Sequence, residues 1–479
     1  MQKLSIFFSI LLFSFLTVSA QQKYEGHWGK QNLDVAFANA ATNDGGYIIT
    51  GLTLSSGDIN GDILVIKTSA IGDTQWTFTY GGPKIEGGNS VIQTADGGYM
   101  VAGHTEDFGA DDCDAFMMKL DKNGNHEWFK VYGGYADDIS QGIIELPGGG
   151  YVFAGITASW GNAPGDSETR HVYFVRTDAQ GDTVWTRYYA GKAAEYGYSI
   201  ARMQDGGFLA NGWTLSFGHG EYDGWLLRLK DNGDTLWTRL YQNEGSTSLY
   251  KIIPTLDNGF AMAGYTAQTA TCKQQGFLVK LDANGNDVWK KTYGDTSQGI
   301  TLHDVTQLPN GNFMLTGTSQ AAAATGNAYV LTTDADGNKI TDNICGGDSS
   351  YAYCIAAQGN NGYMIAGATS QYGDAYGDLY YMLVNNTMNA GVPAVKNYIA
   401  RMYPNPVKDV SVIILPSTEA NQLVRLDITD QAGRLVHTET NLLAKDIIIN
   451  GKTLAQGLYD FTVTCKDGAV YKGRFLVAE

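Results

Sequence analysis

The 479-residue sequence has little proline, little cysteine and little charge. It contains 9 Pro and 5 Cys, and charged residues make up 17% of it. Such a sparse, odd set of cysteines excludes a disulfide framework. Cys345 and Cys354 are close enough to lie on neighbouring strands, where they either pair or remain thiols; both alternatives stay open. The others, which we expect to be small buried or loop residues, are Cys113, Cys272 and Cys465.

Basic residues are also scarce. The chain has 32 Lys and Arg against 49 Asp and Glu, which gives a net charge of −17 and a pI near 4.8. A surface of this sign repels phosphate backbones and anionic lipids, so nucleic acid is excluded as an expected partner. The same charge keeps an exported protein soluble, and we expect a monomer.

Long apolar runs are absent after the first twenty residues. Lys3 precedes the apolar stretch Leu4–Val18, and the small residues Val18-Ser19-Ala20 provide a cleavage site before Gln21. This pattern is typical of a secretory signal peptide, which we assign to residues 1–20. The stretch is short for a membrane span, and no later stretch could serve as one. We therefore expect an exported chain without a membrane span.

Recognisable catalytic patterns are missing as well. The seven histidines are scattered singly, without the HExxH spacing of zinc peptidases, and neither a phosphate-binding loop nor a GxSxG elbow occurs. No catalytic residue is assigned, and the sequence predicts a protein that is not an enzyme. One alternative remains open, a secreted polysaccharide hydrolase or lyase with a carboxylate site in the central funnel of the fold predicted below, because a carboxylate pair cannot be recognised by spacing in so acidic a chain.

A Gly-aromatic turn recurs through most of the sequence. Successive copies start 52, 52, 57, 52, 53 and 50 residues apart, and an apolar stretch ending in Ala-Gly or a close variant follows each turn. Glycine suits tight turns and aromatic residues suit pleated strands, so each copy marks a turn into a strand. The copies are Asp44–Tyr47, Asp96–Tyr99, Gly148–Tyr151, Asp205–Phe208, Asp257–Phe260, Asn310–Phe313 and Asn360–Tyr363.

A second marker keeps the same step. In Lys119–Trp128, Arg176–Trp185, Arg228–Trp237 and Lys280–Trp289, a glycine in a polar turn lies four residues before a tryptophan. Two strands joined by such a turn form a hairpin. Each period therefore contains four short strands, which in the second copy we place at Ser90–Thr94, Tyr99–His104, Ala115–Leu120 and Glu127–Tyr132.

Four strands per period of about 50 residues predict the blades of a β-propeller. The seventh copy lacks a Trp strand, but Tyr24–Lys30 places Trp28 at the corresponding position. An N-terminal strand that completes the last blade would close the ring and remove its open edges. We predict an all-β chain with a seven-bladed propeller of four-stranded blades over residues 21–384.

The Trp hairpin resembles the repeat of PQQ-like, quinoprotein-type propellers, in which Asp, a Gly turn and Trp follow one another. The resemblance covers about six repeats, with a shorter turn here, and it implies a shared blade design. We assign no quinone cofactor, and we expect each Trp to pack between adjacent blades.

The repeat ends at Val384. Residues 385–398 read as a linker, and six short strands then alternate with turns such as Asp430–Gly433. This pattern predicts a small Ig-like β-sandwich over residues 399–479.

This last segment resembles the type A C-terminal sorting domain of the Bacteroidetes type IX secretion system. The resemblance rests on YPNP at Tyr403–Pro406, DQAG at Asp430–Gly433 and LAQGLY at Leu454–Tyr459. It implies that the domain is recognised by the type IX translocon and that the protein is released or attached at the cell surface. The motif residues are Tyr403, Pro404, Asn405, Pro406, Asp430, Gly433, Gly457 and Tyr459.

Loops between the second and third strands of the blades are rich in Asp, Gly and aromatic residues. Clustered carboxylates are calcium ligands, which makes Asp58, Asp62, Asp374 and Asp378 candidates for a calcium site. A second interpretation stays open, because Asp recurs just before the third strand and can cap a turn there.

Aromatic loop residues supply stacking surfaces for sugars or peptides, and loops on a rigid scaffold commonly carry recognition. We predict a secreted or surface-attached propeller that binds a glycan or protein through its loop face. The candidate ligand-binding residues are Phe108, Trp160, Arg170, Phe217, Tyr222, Tyr372 and Tyr376.

Overall fold

A computed structural model provides the structure of the chain. It describes residues 22–29, 32–55, 60–109, 112–161, 169–219, 221–242, 245–267, 274–294, 298–321, 326–345, 349–359, 362–370, 377–385, 397–399, 401–403, 406–415, 423–430, 434–443, 447–465 and 470–478. Contacts divide the chain into two units, of which one spans Tyr24–Asn385 and the other includes Asn386–Glu479.

The first unit is built from four-stranded antiparallel sheets, of which the described residues form seven. In six of these sheets, four consecutive strands lie side by side, from an inner first strand to an outer fourth strand. In the last sheet the outer strand is β1 (Gln22–Trp28), from the beginning of the chain. The inner strands are β2 (Asp34–Ala41), β6 (Glu86–Gln93), β10 (Asp138–Glu145), β14 (Glu195–Arg202), β18 (Thr247–Pro254), β22 (Gln298–Gln307) and β26 (Ser350–Ala357). The second strands are β3 (Tyr47–Thr53), β7 (Tyr99–Thr105), β11 (Tyr151–Thr157), β15 (Phe208–Thr214), β19 (Phe260–Ala267), β23 (Phe313–Ala321) and β27 (Gly362–Thr369).

Burial falls from the third strand of a sheet to the fourth. In the second sheet the third strand is buried at every position, whereas the fourth begins with two exposed residues. The third strands are β4 (Asp62–Thr68), β8 (Asp114–Leu120), β12 (His171–Thr177), β16 (Asp223–Leu229), β20 (Gln274–Leu281), β24 (Asn327–Thr333) and β28 (Asp378–Asn385). The outer strands are β1 (Gln22–Trp28), β5 (Thr74–Tyr80), β9 (His126–Tyr132), β13 (Thr183–Tyr189), β17 (Thr235–Tyr241), β21 (Asp287–Tyr293) and β25 (Lys339–Cys345).

The prediction of an all-β chain with four-stranded propeller blades is confirmed. The predicted inner strand of the second blade was too short, because β6 begins at Glu86 and not at Ser90. Its first residues include two glycines, whose low strand propensity concealed the strand.

The N-terminal strand joins the sheet of the last repeat, as predicted, but the prediction that Trp28 takes the position of the repeated tryptophans was wrong. Trp28 is the last residue of β1, where β9 has Tyr132, whereas the repeated tryptophans are the third residues of their strands. Strand β1 pairs with β28, in the order β1-β28-β27-β26. Trp28 packs against a hydrophobic cluster to which the sheet of β2–β5 contributes Tyr47 and Leu64 and the last sheet contributes Met364 and Leu379. The first and last sheets therefore share a core.

The repeated tryptophans lie between neighbouring sheets, as predicted. Gly181, in the turn before β13, has a φ of +80°, and a Cβ there would lie 2.8 Å from the ring of Trp128 in the preceding sheet. Gly285 faces Trp237 in the same way, at 3.1 Å. The glycine of the hairpin turn is thus required twice, for its left-handed backbone and for the ring that covers it.

Every inner strand contains a β-bulge. Its pairing with the second strand skips one residue, and that residue is Phe37, Asn89, Gln141, Tyr198, Tyr250, His303 or Tyr353 in successive sheets. Opposite the bulge lies the glycine of the repeated Ala-Gly marker or its variant. A Cβ on Gly264, for example, would lie 1.9 Å from the Ser248 carbonyl oxygen, and one on Gly212 would lie 1.7 Å from that of Tyr196. The marker is therefore the sequence signature of the bulge.

The second unit contains two sheets around one core. A five-stranded sheet has the order β29-β36-β35-β32-β33, and a three-stranded sheet has the order β30-β31-β34. Both contribute to one cluster, which includes Ile413 and Ile449 from the smaller sheet and Leu426 and Phe461 from the larger. The strands are β29 (Asn397–Ile399), β30 (Arg401–Tyr403), β31 (Val410–Ile414), β32 (Leu423–Asp430), β33 (Leu435–Leu443), β34 (Ile448–Asn450), β35 (Gly457–Cys465) and β36 (Val470–Val477), and a short 3-10 helix spans Gly451–Thr453.

Strands β29 and β30 were not predicted, and β29 takes the last two residues of the segment read as a linker. Each has three residues, and β29 is recognisable by its parallel pairing with β36 rather than by its sequence. Cys345 and Cys354 both lie in described strands, and the structure forms no disulfide between them.

Candidate functional site

A central cavity of about 400 Å³ lies where the inner strands meet. Residues from each of the seven inner strands line it, from Phe37 on β2 to Tyr353 on β26. All seven bulged residues are among them. Bulges re-aim side chains, and here each turns one side chain of a strand toward the same space.

The bulged residues divide the cavity wall into two arcs. Five successive inner strands, starting at β14 and ending at β2, carry rings, and the remaining two carry amides. We call the first set the aromatic arc; its members are Tyr198, Tyr250, His303, Tyr353 and Phe37. We call the second set the amide arc; its members are Asn89 and Gln141.

Neighbouring rings of the aromatic arc are in contact. The ring centroids of Tyr198 and Tyr250 are 4.9 Å apart, those of Tyr250 and His303 are 5.3 Å apart, and those of His303 and Tyr353 are 5.4 Å apart. Phe37 follows at 6.3 Å from Tyr353. Such tilted and edge-to-face contacts hold each ring in place through the next.

The arc continues toward the loop residue Tyr222. Tyr198 accepts a hydrogen bond from Trp213 Nε1 at 3.1 Å, and the Trp213 ring lies 5.3 Å from Tyr222. The Tyr222 hydroxyl is hydrogen-bonded to that of Tyr265, whose ring is 6.0 Å from Tyr250. A continuous series of aromatic side chains therefore runs from this loop into the cavity.

Among the described residues that line the cavity, the charged side chains form one ion pair. Lys251 Nζ lies 3.8 Å from Asp304 Oδ1, and the Asp304 side chain is 7% exposed against 39% for Lys251. The Asp304 carboxylate also accepts hydrogen bonds from the backbone N–H groups of Ile355 and Val305. Burial raises the pKa of Asp304 and lowers the pKa of His303 to about 4, so the His303 ring is neutral at pH 7.

On the amide arc, Asn89 is held by its neighbours. Its Nδ2 donates to the Ser140 carbonyl oxygen at 3.0 Å and lies 3.3 Å from His104 Nδ1. Burial lowers the pKa of His104 to about 4, so this ring is also neutral at pH 7. The arc thus offers a positioned amide rather than a charged group.

The predicted loop residues do not form one patch. Phe108 is 41% exposed and packs against Tyr80 and Phe129, whereas Phe217 is 43% exposed and packs against Trp225 of its own sheet. Trp160 stacks on Tyr173 at 5.2 Å. Arg170 forms a salt bridge with Asp137. Among the predicted residues that the structure describes, Tyr222 is joined to the cavity wall through Trp213 and Tyr265. Tyr372 and Tyr376 lie outside the described residues.

The recurring Asp of the third strand belongs to a buried carboxyl layer between sheets. Asp114 faces the first residue of the next inner strand, Asp138, and both are at most 2% exposed. A Cβ on Gly133, in the connection between the two sheets, would lie 1.6 Å from Asp114 Oδ1 and 3.0 Å from Asp138 Oδ2. Burial and the charge of Asp114 raise the pKa of Asp138 to about 6.

The same arrangement recurs at other interfaces. Asp62 and Glu86 converge on Gly81, and Asp378 and Asp34 converge on Gly29. Burial raises the pKa of both Glu86 and Asp34, and the carboxylate of the neighbouring sheet adds to each shift. Glu86 and Asp34 are therefore biased toward the protonated form.

One interface replaces the acid pair by an acid and a base. His171 occupies the position of Asp114 in the third sheet, and its Nδ1 lies 2.8 Å from Glu195 Oε2. Both side chains are at most 2% exposed. At this interface the carboxylate of Glu195 is hydrogen-bonded to an imidazole nitrogen, whereas at the three acid-pair interfaces the corresponding acid faces a second carboxyl group.

At least one of the recurring Asp residues also caps a turn, which is the second interpretation given from the sequence. Asp223 Oδ2 accepts a hydrogen bond from the His219 backbone N–H at 2.9 Å, which closes the preceding loop. For calcium, Asp58 and Asp374 lie outside the described residues, while Asp62 and Asp378 lie in the carboxyl layer. No group of three or more His, Cys, Asp or Glu suited to a metal occurs in the described part of the chain.

Two of the motif residues of the second unit stabilise a turn and the hydrophobic core. Asp430 accepts hydrogen bonds from the backbone N–H and from Nε of Arg434. Tyr459 is buried, stacks on Phe475 and donates to the Ala455 carbonyl oxygen at 2.9 Å. Pro406 is exposed, Gly457 begins β35 and Tyr403 ends β30, while Pro404, Asn405 and Gly433 lie outside the described residues.

The sequence placed only the hydrolase or lyase alternative in the central funnel, and it placed the binding residues on the loops, so the residues of the cavity wall were not predicted. Two signals could have identified them. The glycine inside each second strand marks a bulge opposite, and residues at the bulged position can be compared across repeats. The comparison shows that five of the seven bulged residues carry a ring and that two carry an amide.

The C-terminal unit has a family match. Residues 401–477 match the secretion system C-terminal sorting domain. This segment is therefore a type IX sorting domain, and it implies export to the cell surface or exterior. No curated protein matches the chain.

Solved structures resemble the chain weakly. PorZ, described as an essential surface component of the type IX secretion system of Porphyromonas gingivalis, is 13% identical with a TM-score of 0.44, and the match covers 95% of this chain and 60% of PorZ. A puromycin hydrolase is 11% identical with a TM-score of 0.48 (84% and 58% covered). A protein of unknown function from Dyadobacter fermentans is 10% identical with a TM-score of 0.43 (76% and 98% covered). TM-scores below 0.5 carry no argument about what the chain does.

Within the described residues, no helix has the length and apolar character to cross a membrane.

Proposed function

We propose that the chain is an exported β-propeller that binds a glycan or protein through its loop face, and that the sorting domain delivers it to the cell surface. The aromatic series from Tyr222 into the central cavity supports binding most directly. Rigid, partly exposed rings give contact area at a small cost in conformational entropy. The proposal includes a signal peptide over residues 1–20, a propeller over 21–384, a linker over 385–398 and a sorting domain over 399–479.

The alternative, polysaccharide cleavage by a carboxylate site in the funnel, requires two acids. Among the described residues that line the cavity, Asp304 is the single carboxylate. Since two backbone N–H groups and Lys251 satisfy it, binding is the function that the geometry supports better.

Binding is tested with the purified mature full chain on glycan and peptide arrays, with and without calcium. We expect a saturable signal for one ligand class without turnover. Release of shortened polysaccharide products would instead support the hydrolase, and the absence of any bound glycan or protein would contradict the proposal.

Export is tested separately in a bacterium with a working type IX system. Deletion of residues 399–479 is expected to leave the propeller inside the outer membrane, whereas Tyr250→Ala is expected to be exported like the wild type. Surface delivery of the truncated chain would contradict the sorting role.

A further inference from the structure

The two arcs of the cavity wall have complementary chemistry. The aromatic arc presents ring faces, which carry negative electrostatic potential and attract weakly positive C–H groups. The amide arc, carried on β6 and β10, presents groups that donate and accept hydrogen bonds. A ligand that satisfies both must have an apolar C–H face and polar groups on its other side.

A sugar ring has this character. Its axial C–H groups form an apolar face, while its hydroxyls point outward around the rim. A cavity of about 400 Å³ falls within the range of small-molecule sites, roughly 300–1,000 Å³, so it suits a short segment of a glycan rather than a folded domain.

Charge in the cavity favours an uncharged ligand. Lys251 is compensated by Asp304, and His303 is neutral at pH 7 because burial lowers its pKa to about 4. The chain as a whole carries a net charge of −17, which repels polyanions. No uncompensated cation is present among the described lining residues to hold a carboxylate or a sulfate.

From these observations, and on the basis of the proposed binding function, we infer that the central cavity binds a terminal segment of a neutral glycan. The apolar face of a sugar packs on Tyr198 and Tyr250, and its hydroxyls bond to Asn89 and Gln141. The loop residue Tyr222 extends the same surface outward, where the next sugar of the chain lies.

The test is calorimetry on the mature full chain with neutral oligosaccharides (cellotetraose, maltotetraose and mannotetraose) and with trigalacturonate as the acidic counterpart. For the neutral oligosaccharide that binds, we expect Tyr250→Ala to weaken affinity about tenfold or more, as for loss of one buried ring contact. Gln141→Ala removes a hydrogen bond and is expected to weaken it about threefold to tenfold.

Two variants serve as controls. Tyr250→Phe keeps the ring and is expected to bind within about threefold of the wild type, which separates loss of stacking from loss of fold. Tyr188→Ala removes an exposed aromatic residue of the outer strand β13 and is expected to leave affinity unchanged, whereas Phe217→Ala tests whether the loops bind instead. Melting curves for every variant establish that each is folded.

The outcomes separate this inference from the proposed function. If Phe217→Ala abolishes binding while Tyr250→Ala does not, or if trigalacturonate binds more tightly than the neutral probes, the inference is wrong and the binding function stands. If array and calorimetry detect neither glycan nor protein, both fail.

Discussion

At the scale of single residues, burial has a measurable effect on protonation. Asp138 is fully buried, and the titratable groups near it are Asp114, Cys113 and Tyr173. Hydrogen bonds from Ser159, Thr157 and the Gly134 backbone N–H only partly offset the effect of burial on its pKa. Burial raises the pKa of Cys113 to about 12, so this thiol adds no charge at neutral pH. A proton on the Asp114–Asp138 pair is therefore the simplest way to relieve the repulsion between two carboxylates.

This protonation makes stability depend on pH in a defined direction. The pKa of Asp138 rises from 3.8 to about 6 on folding, so the folded state holds more protons between these values, and stability falls as pH rises from 5 to 7. Asp138→Asn removes the effect. The free energy of unfolding of the variant, minus that of the wild type, is expected to increase by about 1 kcal/mol between pH 5 and pH 7.

Urea unfolding of both proteins at the two pH values measures this difference. Groups such as His104 and His303, whose pKa values are lowered, are present in both proteins, so their contributions cancel in the subtraction. Asp121→Asn is the control, because hydrogen bonds from Asn125 lower the pKa of the exposed Asp121, and the variant should show no change between pH 5 and 7. A constant difference for Asp138→Asn would show that Asp138 does not change its protonation between pH 5 and pH 7, which would contradict a pKa near 6.

At the scale of strands, the bulge and the glycine opposite form one device. In a regular inner strand, the side chain of Tyr250 would lie on one of the two faces of the sheet. The bulge at this residue turns the side chain into the cavity instead. Gly264 permits this because the Ser248 carbonyl oxygen occupies the space that a Cβ would need.

Gly264→Ala therefore tests the link between the repeat and the site. The contact of 1.9 Å must be relieved by moving one of the two strands, and we expect a loss of about 2–4 kcal/mol in stability together with loss of ligand affinity. Gly97→Ala is the matched control, since Gly97 has a φ of +85° but open space around it, and the left-handed backbone alone costs about 1–2 kcal/mol. Equal destabilisation in the two variants would contradict the role given to the close approach.

Strand positions were predictable from the sequence because turns and strands repeat with a fixed step. The hairpin glycines and Trp128 mark their own strands, and the missing outer strand indicated the role of β1. The bulge was not predicted, because it is a shift in the pairing of two strands and not a pattern within one strand. Without the bulge, the side chains of Tyr250 and Gln141 could not be placed in the cavity.

The carboxyl layer was missed for a related reason. Asp114 and Asp138 lie 24 positions apart in sequence, and their contact depends on how one sheet packs on the next. Repetition of Asp at one position was visible, but burial was not, so turn capping was the nearest explanation.

At the scale of the whole molecule, closure depends on a strand from the beginning of the chain. Trp28 packs on the core shared by the first and last sheets, and Trp237 packs on the core between two sheets that are consecutive in sequence. Trp28 is the last residue of β1 and Trp237 is the third residue of β17, but both rings pack on a core between two sheets, which permits a comparison.

Trp28→Ala and Trp237→Ala are both expected to lower the free energy of unfolding by about 2 kcal/mol or more, since each removes a large, partly buried ring. Their local effects should differ. Hydrogen exchange in Trp28→Ala is expected to increase in β2–β5 and β26–β28, and in Trp237→Ala in β14–β21. Identical exchange patterns would contradict closure by β1.

The most direct test of the binding account is a crystal structure of the mature full chain with the neutral oligosaccharide of highest affinity. We predict density for a sugar in the central cavity, packed on the rings of Tyr198 and Tyr250 and within hydrogen-bonding distance of Asn89 or Gln141. Density for the oligosaccharide at Phe108 or Phe217 on the loops, with the cavity free of sugar, would contradict binding in the cavity and leave binding through the loops.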